Sequence, residues 1–151
     1  MKVEKDLLML DNNQQYKVIR RVATKARAFL FEHRNKLYNG VPNHLGGLCG
    51  YATSILHNKL SKEGLDPEMV QGSGHWFIKC GVWLVDITAS QFGQGKICIR
   101  NYNKVQEIIK SQDRAMLFWH QYKISKRPED MGMGANEKFI EERIGIKAGD
   151  W

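Results

Sequence analysis

Apolar positions along the first third of the chain recur at helical spacing. Ile19, Val22, Ala23, Ala26, Leu30, His33 and Leu37 follow one another at steps of three and four, which predicts an amphipathic helix over residues 14–38 with one buried stripe. Asn39-Gly40-Val41-Pro42-Asn43 then breaks the pattern with turn chemistry, and Gly46-Gly47 prolongs the loop. A second helix is expected to start at Cys49. Ala52, Ile55, Leu56 and Leu60 would line its inner side, and Gly64 sits where a left-handed residue closes a helix. Beyond Gly64 the period shortens. Residues 75–80, 82–87 and 96–100 are rich in aromatic and β-branched side chains and predict three strands. Asn103 to Gln112 returns to helical spacing, with Val105, Ile108 and Ile109 on one side, whereas residues 115–124 fit neither period. From Lys126 the chain is turn-rich around Pro128 and Gly132-Met133-Gly134, with room for a short helix near Phe139. No repeat or linker divides residues 1–151, so the expectation is one α+β domain, its N-terminal helices packed on a small antiparallel sheet.

The two middle strands bring specific residues together. If Cys80-Gly81 is a two-residue hairpin loop, Lys79 pairs with Val82, Phe77 with Leu84 and His75 with Asp86, all on one face. Trp76, Ile78, Trp83 and Val85 cover the other face. Directly opposed side chains have Cβ atoms about 4.5–5.5 Å apart, so Asp86 would orient the His75 imidazole and stabilise its protonated form. A slip of one residue would separate them onto opposite faces. The plainer alternative is a cross-strand polar pair that only stabilises the sheet.

Composition narrows the picture. The chain has 151 residues, is 42% hydrophobic and carries three cysteines. A domain of this size buries roughly 70% of its unfolded surface and needs no disulfide framework. The apolar stretch before Asp11 is only four residues long, and no stretch approaches the roughly 18 apolar residues of a membrane span. The expectation is therefore a cytoplasmic protein with free thiols and no membrane association, although export by another route stays open. The formal charge is +7, with Lys17, Arg20, Arg21, Lys25, Arg27, Arg34 and Lys36 on the first helix. No aromatic residues alternate with them as a nucleic-acid stacking surface requires, so these charges read as a solvated helix face. Such a surface is compatible with an acidic protein or peptide substrate. No CxxC, HxxxH, HExxH, phosphate-loop or dinucleotide pattern is present, so neither a metal nor a cofactor is called for.

Cys49 is the candidate nucleophile. A thiolate gains from the unpaired N–H groups and dipole of a helix N-terminus, and from a nearby imidazolium. Gly46 and Gly47 leave the approach to Cys49 open, and Gly50 keeps the backbone clear for a substrate carbonyl. The Cys49 N–H and the Asn43 amide, six residues earlier, are candidate oxyanion donors. The competing reading is a packed thiol, which is accepted for Cys80 and Cys98. His57 lies two turns along the helix from Cys49, about 12 Å away, so His75 is the preferred partner. His44 also flanks Cys49 in sequence but is passed over for His75, His33 reads as a core residue, and His120 has no evident partner.

The strings LCGYATSILHNKL and GSGHWFIKCGVWLVDITASQF, within residues 46–92 and under a third of the chain, resemble the core of the transglutaminase-like branch of the papain-like cysteine enzymes, in small bacterial and viral forms. That pattern is Cys-Gly at a helix head, then a strand carrying His, then a strand carrying Asp. The resemblance implies a papain-like fold with Cys49 as nucleophile, His75 as general base and later acid, and Asp86 as orienting carboxylate. Asn43 would correspond to the glutamine that many papain-like enzymes place before the nucleophile. The connection between His75 and Asp86 is shorter here than in larger members. Trp76, Gly47, Gly50 and Gln91 are cleft candidates; for Gln91 and Phe92 the alternatives are shaping the cleft or only closing the sheet.

The implied activity is hydrolysis of an amide bond by a peptidase, amidase or deamidase acting through an acyl-enzyme. Two alternatives stand beside it: a transglutaminase- or acyltransferase-type effector or toxin that modifies a protein, and a catalytically silent binding protein on the same fold.

Overall fold

The computed structural model describes residues 10–37, 49–72, 75–89, 95–110, 121–125, 141–142 and 144–145. Helix α1 (Asn12–Glu32) begins two residues before the periodicity suggests. The reason is a capping box: the Gln14 N–H donates to Asp11 Oδ1 at 2.8 Å, and the Asp11 N–H donates to Gln14 Oε1 at 3.0 Å. The helix ends at His33, and a single turn, α2 (Arg34–Leu37), follows. Helix α3 (Cys49–Lys62) closes as expected. Gly64 adopts φ +86°, Leu65 N–H reaches Leu60 C=O, and Gly64 N–H reaches Ser61 C=O, the paired bonds of a Schellman cap.

Among the described residues, five strands form one antiparallel sheet, in an α+β fold. They are β1 (Pro67–Gly72), β2 (Trp76–Cys80), β3 (Trp83–Asp86), β4 (Cys98–Asn101) and β5 (Gln121–Ser125), in the spatial order β4-β3-β2-β1-β5. Helix α4 (Tyr102–Lys110) follows β4 directly. Three strands were expected where β2, β3 and β4 lie. β1 escaped notice because Pro67, Glu68 and Gly72 are poor strand formers, and β5 falls in the stretch without a clear period. The expected short helix near Phe139 falls largely outside the described residues.

Each inner strand sends neighbouring residues to opposite sides. Met69, Ile78, Cys80, Val85, Ile87 and Ile99 join Ile19, Val22, Ala23, Ala26, Leu30, Ala52, Ile55, Leu56 and Leu60 in a core beneath α1 and α3. Val70, Phe77, Leu84 and Cys98 face the other way and pack with Ala89, Val105 and Tyr102. Both faces of the sheet are therefore covered, by α1 and α3 on one side and α4 on the other.

The β2–β3 register corrects the expected hairpin. Cys80 pairs with Trp83, Lys79 with Leu84 and Ile78 with Val85, so the loop is Gly81-Val82 and the pairing is displaced by two residues. Cys80 belongs to the strand, not the turn. There its thiol is buried in the helix-facing core, whereas a turn position would expose it. Trp83 fixes the hairpin end against α1: its indole N–H donates to Asn12 C=O at 2.9 Å, and its ring meets Tyr16 edge-on at 5.0 Å. Gly81 has φ +60°, and a Cβ there would lie 2.7 Å from Gln15 Oε1.

Gly81→Ala should destabilise the protein by about 1–2 kcal/mol, chiefly from the left-handed conformation, because the Gln15 amide can swing aside. Denaturant midpoints of the variant and the wild type measure this. An unchanged midpoint would mean that the turn relaxes to a negative φ.

Candidate active site

A displacement of two residues preserves the facing of every side chain, so His75 and Asp86 remain on one side of the sheet although they are not directly opposed. Continuing the observed register places Phe77 opposite Asp86, which makes His75 and Asp86 diagonal neighbours. Diagonal pairs lie within reach of long or aromatic side chains. The imidazole spans the gap: His75 Nε2 is 2.5 Å from Asp86 Oδ2. Its ring also stacks beside Phe77, with centroids 6.0 Å apart and planes inclined by 26°.

Both partners are shielded from water, with His75 1% exposed and Asp86 2% exposed. A buried carboxylate has to be satisfied by donors. Besides the imidazole, Asp86 Oδ1 accepts the Thr88 N–H at 2.8 Å and the Thr88 hydroxyl at 3.0 Å. Thr88 is itself buried. Sequence reasoning missed its role, although Asp-x-Thr is a readable signal: an aspartate commonly bonds the backbone two residues on.

The third member arrives on α3. Cys49 is the first residue of that helix and His75 lies immediately ahead of β2, so they meet where two elements begin. The Cys49 side chain forms a hydrogen bond with His75. Cys49 is half-buried, whereas Cys80 and Cys98 are buried. The first-turn N–H groups of α3 have no acceptor within the helix. At the other side of that turn, the Thr53 hydroxyl donates to Cys49 C=O at 2.6 Å, which ties down the residue carrying the thiol. Imidazole, carboxylate and thiol thus form one hydrogen-bonded chain, in which Cys49 is the least buried residue.

Electrostatics separates the groups further. Burial alone would lower the His75 pKa, but the hydrogen bonds and negative charges of Asp86 and Cys49 outweigh it and raise the value to about 9. Burial pushes the Cys80 thiol up to about 12, with the charges of Asp66 and Glu68 adding to it. It pushes Cys98 up to about 11, against the opposing charge of Arg100. Neither thiol is a nucleophile at neutral pH.

The remaining candidates divide. Gly50 is half-buried in the first turn of α3. Trp76 packs against the helix-facing core, on the side of the sheet opposite the His75 ring. Asn43, Gly47 and Gln91 lie outside the described residues. His33 is largely enclosed against Phe29, with ring centroids 4.8 Å apart. Among the described residues no three His, Cys, Asp or Glu side chains are grouped to hold a metal ion, and no helix is long and apolar enough to cross a membrane.

Two predictions follow from this geometry. In an NMR titration His75 should stay protonated through neutral pH and lose its proton near pH 9. The unfolded imidazole titrates near 6.5, so its contribution to stability is complete below that pH. It is lost as pH rises through 9, about 3 kcal/mol in all. Asp86→Asn should remove most of this pH dependence, and an imidazole titrating near 6.5 in the wild type would refute the pairing. Thr88→Val keeps the backbone donor but deletes the hydroxyl, which should cost about 2 kcal/mol in a denaturant titration. No family model, curated protein or solved structure matches the chain.

Proposed function

We propose that this protein is a cysteine-dependent hydrolase of amide bonds, built on a papain-like core of the transglutaminase-like type. The observation that carries this reading is the placement of His75, hydrogen-bonded on one side to the half-exposed Cys49 at a helix start and on the other to the buried, fully satisfied Asp86. A sheet that needed only a stabilising cross-strand pair would gain nothing from a thiol at the end of it.

In this mechanism the Cys49 proton resides on His75, and the thiolate attacks the carbonyl carbon of the substrate. Negative charge builds on the carbonyl oxygen, where N–H groups of the first turn of α3 are the available donors. As the tetrahedral intermediate collapses, the carbon–nitrogen bond breaks. His75 gives its proton to the departing amine, leaving a thioester on Cys49. His75 then accepts a proton from water, the resulting hydroxide attacks the thioester, and the acid product leaves as Cys49 is restored. Asp86 holds Nε2 throughout, which keeps Nδ1 directed toward the sulfur and stabilises the imidazolium. The raised pKa of His75 keeps the acid form available up to about pH 9, so the rate should fall above that value as the leaving amine loses its proton donor.

Site-resolved alkylation by iodoacetamide between pH 5 and 9, followed by mass spectrometry, tests the nucleophile without knowledge of the substrate. Cys49 should react far faster than Cys80 and Cys98 near pH 6, and His75→Ala should abolish that advantage. On an amide substrate the same variant should lose roughly 10²–10⁴-fold in kcat/KM. Equal reactivity of the three thiols would sink the proposal.

A further inference from the structure

The first helix carries a second stripe besides the one that packs on the sheet. Thr24, Arg27, Ala28 and Phe31 follow one another at steps of three, one and three, and with Lys96 and Ile97 they line a cavity of about 540 Å³. Ligand pockets fall in this size range. Cys49, His75 and Asp86 are not among these lining residues, so the cavity is distinct from the thiol site.

Its chemistry is set by Arg27. The sequence places this residue among the solvated charges of the helix, yet the structure leaves it only 7% exposed. Its Nε has no hydrogen-bond partner, and no carboxylate forms an ion pair with it among the described residues. Burial lowers its pKa, with no opposing charge to raise it. The guanidinium lies 5.6 Å from the centre of the Phe31 ring, and that of Arg34 lies 3.9 Å from the same ring. Lys96 adds a third positive charge at the rim. Buried charges in proteins are ordinarily paired, and a buried arginine that meets no acid among the described residues is the complement of one.

We infer that this cavity is a binding site for a small carboxylate with an apolar or aromatic body. The carboxylate would take the guanidinium of Arg27, whose planar fork of N–H donors matches the two oxygens of a carboxylate. Ala28, Phe31 and Ile97 would hold the body. A single buried positive charge is balanced by a single negative one. This site is independent of the cysteine chemistry.

Benzoate is the probe, and neutral benzamide is its control. Calorimetry and thermal unfolding of the full chain should show saturable millimolar binding of benzoate with a rise in Tm, and no response to benzamide. Arg27→Met keeps the length of the side chain and removes the charge. It should weaken benzoate binding at least tenfold, leave the Tm of the free protein equal or higher, and leave the alkylation rate of Cys49 unchanged. Ala28→Phe fills the cavity without touching the charge and should abolish binding as well, which decides the matter if Arg27→Met does not fold. Failure of the wild type to bind benzoate, equal binding of benzamide, or benzoate binding retained in either variant would overturn the assignment.

Discussion

A carboxylate shut away from water has to be met by donors, and in this protein that requirement falls on Asp86. Its three hydrogen bonds come from one imidazole, one hydroxyl and one backbone N–H. Two of the three originate in Thr88, so the chain just past β3 must turn back on the strand end to satisfy it. The third requires β2 and β3 to be paired with His75 and Asp86 on the same side. Any odd displacement of these strands would strand the carboxylate beneath the sheet with no imidazole, at a cost of several kcal/mol. The pair therefore constrains the register of the central strands as firmly as the apolar residues around it do.

This explains why the site was legible when the hairpin was not. Glycine preference alone puts the turn on Cys80-Gly81, but the strands pair around Gly81-Val82. The strength of the glycine signal did not settle which turn position the glycine occupies. What decided it was tertiary: Cys80 is buried when it lies in the strand, and Trp83 is held by Asn12 and Tyr16 of α1. Alternation along a strand has a period of two, and a displacement of two leaves it intact. The diagonal separation of His75 and Asp86 is then bridged by a ring long enough to reach. Local pattern thus identifies which residues share a face more robustly than it identifies which residue lies opposite which.

The features that escaped the sequence share a different cause. β1 contains Pro67, Glu68 and Gly72, and it is a strand because β2 and β5 flank it on both sides. Its hydrogen bonds come from β2, the next strand in the chain, and from the distant β5, and pairing on both edges overrides weak propensity. The capping box of Asp11 and Gln14 and the Asp86–Thr88 turn were readable in principle, since both link residues two or three apart. The burial of Arg27 was not. Along the helix it looks like its basic neighbours, and only the packing around it withdraws it from water.

Two of the buried polar residues, Asp86 and Arg27, stand in opposite conditions. Asp86 is satisfied completely, and its partner His75 is bonded in turn to the half-buried Cys49. Arg27 is buried without a hydrogen-bond acceptor for Nε, a state that a nonpolar residue of the same length would relieve. Stability explains neither placement well, because apolar side chains could fill both positions. For Asp86 the compensation is visible within the chain, in a positioned imidazole beside a thiol. For Arg27 no carboxylate among the described residues supplies it, and the adjoining cavity is where an acid could.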